Sequence, residues 1–309
     1  MSEQSLRLKQ SNPNVLPGLA WMAACGCLFA LFMLVLKLKL GHVPPVQSSF
    51  VRYLGGLVWL LPVIAWMRAR VPTRARAPIQ WRFDKASLGR GAAHAVGVSL
   101  WFYAIVRNPI ADISALSNLG PVYATLGAAV LFGERLRLRR LLAIAASFVG
   151  ALLIIRPGFV DINSGIYAML MATPIFAISD LLGKRLAARQ SNVTMVLQLT
   201  LIVSAFLAVP ALWVWQPLTW IDWFWGLMVG LLATIGHICL SQAFKVSEMW
   251  VAQSGKFFQL LCAAFLGWVV LGNAVPLTTW LGGGVIVVSI SYIAWREAQV
   301  YRASRRDGA

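Results

Sequence analysis

Acidic residues are scarce: Asp and Glu together number 10 against 27 Lys and Arg, and charged residues make up only 12% of the 309 positions. A chain this poor in charge leaves no polar stretch long enough for a large soluble domain. Histidine is nearly missing, with 3 residues on separate segments. Neither a histidine metal centre nor the clustered histidines and acids of a membrane-embedded enzyme is therefore expected. Cysteine is limited to Cys25, Cys27, Cys239 and Cys262, all in apolar runs and without the paired spacing of a zinc site or a disulfide framework. They read as small packing residues. Walker-type phosphate loops, HExxH and GxSxG elbows are absent. No catalytic site and no cofactor is expected, and any work the chain performs must come from a gradient of substrate, protons or a counter-substrate.

What the chain has in quantity is apolar sequence, with 59% hydrophobic residues and 14 tryptophans. Apolar runs of about 20 residues recur along its length with short polar breaks, the signal of transmembrane helices. Ten spans are predicted: 15–36, 46–67, 87–106, 112–132, 141–156, 163–183, 193–215, 222–241, 249–271 and 276–295. The fold class is thus an all-α integral membrane protein. The polar residues 1–14 precede a full-length apolar run with no small-residue cleavage pattern, so they read as a retained cytoplasmic tail, and 297–309 as a basic C-terminal one.

The net charge of +17 has a topological cause. With the N-terminus in the cytoplasm, only Lys37, Lys39, Arg107 and Arg156 fall on the outer side, and Arg52 and Lys256 lie within spans. Every other basic residue is inside, including the run from Arg68 to Arg90, Arg135–Arg140, Lys184, Lys245 and the C-terminal arginines. This satisfies the positive-inside rule, puts both termini in the cytoplasm, and removes the need for a nucleic-acid partner; the bilayer is the partner.

The chain repeats. At an offset of 139, residues 97–136 align with 236–275 without a gap, matching Gly97 to Gly236, Ala104 to Ala243 and Gly133 to Gly272. At an offset of 147, 18–37 align with 165–184, the starts of spans one and six. Two five-helix repeats, 15–158 and 159–296, are expected. Because five is odd, the second is inverted in the membrane, an arrangement suited to alternating access. Transport is therefore the expected class, with a small-molecule substrate.

Two strings, SNLGPVYATLGAAVLFGERLRLRRLLAIAASFVGALLIIRPG (117–158) and FAISDLLGKRL (176–186), resemble the EamA-type branch of the drug/metabolite transporter superfamily. FVRYLGGLVWLLP (50–62) and SLWFYAI (99–105) are similar to its bacterial S-adenosylmethionine transporter-like group. The resemblance implies a secondary carrier of the bacterial inner membrane, with spans four and nine near the pseudo-axis. It implies as substrate S-adenosylmethionine, another nucleoside-like metabolite, an amino acid, or a flavin such as riboflavin. It leaves room for an amino-acid or drug exporter and for a homodimer; a membrane scaffold is the rival class. The chain departs from the pattern at LGNAVP (271–276), where Asn273 stands opposite Glu134.

Polar residues within spans are costly and so mark candidate sites. Lys256 sits about 10 Å into span nine; it either snorkels or pairs with Asp180, or it faces a central cavity and attracts an acidic or carbonyl-rich group. Gln253, Lys256 and Gln259 follow one helix face at i, i+3 and i+6. Ser117 and Asn118 hold the matching stretch of span four, ahead of Gly120-Pro121, which should interrupt the helix. Arg52 faces either the cavity or the outer headgroups. Trp101, Tyr103, Phe257 and Phe258 either join an interfacial belt or line a pocket for a flat ring. Asp180, with Lys184 at i+4, and His94 and His237 are the intramembrane groups through which proton coupling would run. The tryptophans from Trp213 to Trp225 read as an interfacial belt.

Overall fold

A computed structural model describes residues 15–70, 83–120, 122–123, 126–127, 138–156, 162–247 and 257–306. Every regular element among these is an α-helix, and there are ten: α1 Val15–Leu40, α2 Pro45–Arg70, α3 Lys85–Arg107, α4 Ile110–Ser117, α5 Leu138–Ile155, α6 Ser164–Ala187, α7 Asn192–Trp213, α8 Trp220–Val246, α9 Phe257–Leu271 and α10 Leu277–Arg306. Each begins within a few residues of an expected span except α9, which is described from Phe257; residues 249–256 of that span lie outside the described set.

Five helices, α1, α2, α6, α7 and α8, are long and apolar enough to cross a membrane, and Leu141–Ile155, Phe258–Leu271 and Leu277–Ser289 are shorter apolar stretches. Helix α10 runs on to Arg306 through the segment expected to be a tail.

Helix starts follow local capping chemistry. Asp84 caps α3 by accepting from Ser87 N, Asn163 caps α6 by accepting from Gly165 N and Ile166 N, and Thr219 and Asp222 form a reciprocal capping box on α8. Helix α9 stops at Gly272, whose φ of +65° is open to glycine, and Asn273 N reaches back to Gly267 O at 3.0 Å. The LGN sequence at 271–273 is thus a helix terminator. The α4 backbone tightens at Asn118 and Leu119, whose N–H groups bond Ala115 O and Leu116 O, as expected ahead of Gly120-Pro121; Pro121 itself lies outside the described residues.

The helices sort into two bodies and a flank. Helix α1 packs on α8 and α9, and α2 packs on α8; in the same way α6 packs on α3 and α4, and α7 on α3. Exchanging each helix for the one five places along converts the first group, α1, α2, α8 and α9, into the second, α6, α7, α3 and α4. The α2–α7 and α4–α9 contacts join the two bodies, and α5 packs on α10 at the side.

Small residues set the closest crossings. A Cβ on Gly230 would stand 2.7 Å from Gly55 C and 2.8 Å from Arg52 O, so α2 and α8 meet backbone to backbone. One on Gly26 would stand 2.7 Å from Gln259 N where α1 meets α9. On that same seam Cys27 Sγ and Cys262 Sγ are 2.8 Å apart, while Cys25 and Cys239 are buried in a cluster with Met22, Ala243 and Phe244.

Candidate substrate cavity

Between the two bodies lies a cavity of about 840 Å³, including space open to solvent. One wall comes from α1 (Met22, Cys25, Gly26, Phe29), α2 (Arg52, Tyr53), α8 (His237, Leu240) and α9 (Gln259). The other comes from α3 (His94, Val98, Trp101), α4 (Ser117) with Gly120 beyond it, and α6 (Met169, Thr173, Phe176, Ala177, Asp180). Helix α7 contributes no lining residue among those described.

The walls are aromatic. Trp101 stacks on Phe32 with centroids 5.3 Å apart and an interplanar angle of 6°, and it meets Phe29 and Phe176 edge-on at 6.1 Å each. The imidazoles of His94 and His237 meet edge to face with centroids 5.3 Å apart. His94 packs on Phe176 at 5.1 Å and shares a hydrogen bond of 3.2 Å with Ser179 Oγ, and His237 packs on Phe29 at 5.4 Å.

Set into this apolar shell are polar groups with unused bonding capacity. Arg52 is 4% exposed, its guanidinium lies 3.7 Å from the Tyr53 ring centre, and Tyr53 is 1% exposed. Arg52 Nε, Tyr53 Oη, Arg90 Nε and His237 Nδ1 are buried without a hydrogen-bond partner among the described residues. Arg52, Tyr53 and His237 line the cavity and Arg90 does not; unpaired buried polar groups are costly, which makes the first three candidates to meet a ligand. Asp180 is the carboxylate of the lining, and Arg90, 5% exposed, lies in its electrostatic field and against Gly183.

The sequence-derived candidates fall into three groups. Arg52, Ser117, Gln259, Trp101, Asp180, His94 and His237 come together at the cavity. Gln259 Nε2 contacts Met33 Sδ at 3.4 Å, and Ser117 Oγ donates to Ser114 O at 2.6 Å. Lys256, Gln253 and the side chain of Phe257 lie outside the described residues.

Asn118, Tyr103 and Phe258 are not among the described lining residues. Asn118 is turned about 100° from Ser117 on the helix, and its amide donates to Ser114 O. Tyr103, two residues from Trp101 and so on the opposite face, hydrogen-bonds Ser164 Oγ at 2.9 Å beneath the Arg107 guanidinium. Phe258 points outward and is 40% exposed.

Two cations make contacts that the sequence did not point to. Arg90, grouped by sequence with the loop charges, is buried one turn before His94. Lys184 sends its ammonium to the carbonyls of Phe244 and Ser247 at 2.6 Å each. Arg90 was findable, since Arg90 and His94 stand at i and i+4 inside the predicted third span.

The profile described as the EamA-like transporter family matches residues 16–156 and again 163–295. The chain belongs to that family. Among its relatives, the riboflavin transporter of Vibrio cholerae is 27% identical over 94% of this chain and 97% of its own. The pseudopaline exporter of Pseudomonas aeruginosa is 27% identical over 65% and 71%, and the S-adenosylmethionine uptake transporter of Rickettsia prowazekii 19% over 81% and 83%. One solved crystal structure superimposes with a TM-score of 0.56 over 88% of this chain and 98% of its own, at 18% identity, a likeness of fold alone. This EamA-like protein is a membrane transporter of the drug/metabolite transporter superfamily, and its cavity lies between helices from both matched segments.

Proposed function

We propose that this EamA-like transporter is a secondary carrier for riboflavin or a closely related planar heterocycle. It works by alternating access in the bacterial inner membrane, with both termini cytoplasmic. The observation that carries the substrate reading is the pairing of aromatic walls with unpaired buried polar groups at Arg52, Tyr53 and His237. A flavin offers both complements: a flat fused ring to pack against Trp101, Phe29 and Phe176, and a carbonyl-bearing edge to accept from the donors. The riboflavin transporter of Vibrio cholerae, alignable along nearly its whole length, supports the same substrate. A permanently cationic sulfonium substrate is less well matched, because the lining carries the Arg52 guanidinium as well as the Asp180 carboxylate.

Alternating access draws its support from the repeat. The family profile matches twice, and the helix pairings are preserved under a shift of five. Two inverted halves, 15–158 and 159–296, would exchange conformations about the cavity. Asp180, His94 and His237 are the groups through which a proton gradient would act on it.

Uptake of radiolabelled riboflavin into proteoliposomes tests the reading, with and without an imposed pH gradient. Saturable uptake, and quenching of flavin fluorescence on binding beside Trp101, are expected. Accumulation of S-adenosylmethionine or an amino acid with no flavin uptake would overturn the substrate assignment.

A further inference from the structure

Lys37 and Lys184 occupy equivalent places in the two matched segments and make the same contacts. Lys37, in the last turn of α1, donates from Nζ to the carbonyls of Ile105 and Asn108 at the end of α3. Lys184, in the last turn of α6, donates to the carbonyls of Phe244 and Ser247 at the end of α8.

The caps agree in detail. Asn108 has φ −131° and ψ 161°, and both its backbone N–H and its side-chain amide bond Ala104 O. Ser247 has φ −136° and ψ 164°, and both its backbone N–H and its hydroxyl bond Ala243 O. The lysines differ by the 147-residue offset, and each cap residue and carbonyl by the 139-residue one.

A lysine near its own helix terminus is an ordinary cap. These two instead cross between the bodies: Lys37 ties α1 to α3, and Lys184 ties α6 to α8. They also stand at opposite ends of the cavity. Asn108 accepts from Asn163 Nδ2 at 2.8 Å, which places the Lys37 site at the start of α6, whereas Lys184 is 21 residues further along that helix, about 30 Å at the helical rise. Conversely, Phe244 is buried in the same cluster as Met22, near the start of α1, with Lys37 at its end. Cavity residues lie between the two sites on both α1 and α6.

We propose that Lys37 and Lys184 are paired latches, each biasing one end of the cavity toward closure by seating an ammonium on the carbonyl end of a helix in the opposite body, and released one at a time during transport. Each latch combines charge-assisted hydrogen bonds with the negative end of a helix dipole. Such an interaction is strong enough to bias one end and weak enough to open. The proposal rests on the alternating-access reading above, but its test needs no substrate.

Cys25, 3% exposed, lines the cavity and serves as the reporter. With Cys27, Cys239 and Cys262 replaced by serine, a membrane-impermeant maleimide is added to right-side-out or to inverted vesicles. Lys37→Met should raise the Cys25 labelling rate about fivefold from one face, and Lys184→Met by a similar factor from the other, as for loss of a bond of this class. Lys37→Arg and Lys184→Arg, which keep the cation and its donors, should label at the parent rate. Labelling that rises from the same face in both Met variants, that does not change, or that is replaced by a fall in thermal stability which arginine restores, would make these lysines static caps and overturn the proposal. Failed riboflavin uptake alongside opposite-face labelling would reject the flavin assignment and leave the latches standing.

Discussion

The guanidinium of Arg52 lies 3.7 Å from the ring centre of Tyr53, its neighbour in sequence, and both side chains turn into the cavity with Arg52 Nε and Tyr53 Oη unbonded among the described residues. If this pair supplies donors to substrate, Arg52→Gln should raise the KM for riboflavin uptake about tenfold, the loss of one charge-assisted hydrogen bond. Arg52→Lys should recover little of it, because an ammonium lacks the planar face that stacks on tyrosine. Initial-rate uptake in proteoliposomes separates KM from kcat, and an unchanged KM would remove Arg52 from the binding site.

Trp101 is the largest aromatic surface in the lining. Trp101→Ala is expected to weaken flavin affinity about tenfold and to abolish fluorescence quenching, with Trp101→Phe between it and the parent. Tyr103→Phe, on the opposite face of α3, should leave affinity unchanged. Fluorescence titration of the purified variants checks both.

Asp180 and Arg90 are buried opposite charges on α6 and α3. Asp180→Asn strips Arg90 of the carboxylate in whose field it is buried, so that change or Arg90→Gln alone should destabilise by roughly 1–3 kcal/mol. The double variant should lose less than the sum of the two. Thermal unfolding in detergent reads the coupling, and strict additivity would show that the two do not interact.

Gly230 lets α8 approach the α2 backbone at Gly55 and at the Arg52 carbonyl. Gly230→Leu should cost about 2–3 kcal/mol through overpacking and should raise KM as well, since the clash falls on the turn that carries Arg52. A variant with altered stability but parent KM would show that the crossing supports only the fold.

Asp84 caps α3 at the connection from α2, and bonds from the Ser87 backbone N–H and hydroxyl hold its carboxyl below the usual aspartate range. A depressed carboxylate contributes stability above the unfolded pKa, about 4, and loses it as pH falls through the lower folded value. Asp84→Ala should therefore destabilise by about 0.5–1 kcal/mol at pH 7, an exposed site limiting the charge term. That difference should shrink below pH 4, with flavin KM unaffected throughout.

Much of the cavity was legible one residue at a time. Arg52, Asp180, His94 and His237 stood out because ionisable groups in apolar spans need a reason, and all four line the cavity. Tyr103 and Asn118 each adjoin a lining residue without joining the described lining, and a shift of 100° or 200° around a helix is lost when the inward face is not known in advance. Lys184 was expected beside Asp180 because i to i+4 is the partner that sequence offers. Sequence did not offer the carbonyls that its ammonium also binds, 60 and 63 residues away.

The sequence alone determined the solvent, the helices and the repeat. Apolar runs of bilayer length leave the helix as the way to satisfy every backbone group, and the 139- and 147-residue offsets are present in the letters themselves. Only the tertiary structure decided that α1, α2, α8 and α9 stand against α3, α4, α6 and α7. It also turned two lysines that look like topology markers into contacts between those bodies. Helix formation is local and follows from composition, whereas helix partners are chosen by long-range fits such as Gly230 on Gly55, which depend on the shapes of two surfaces far apart in the chain.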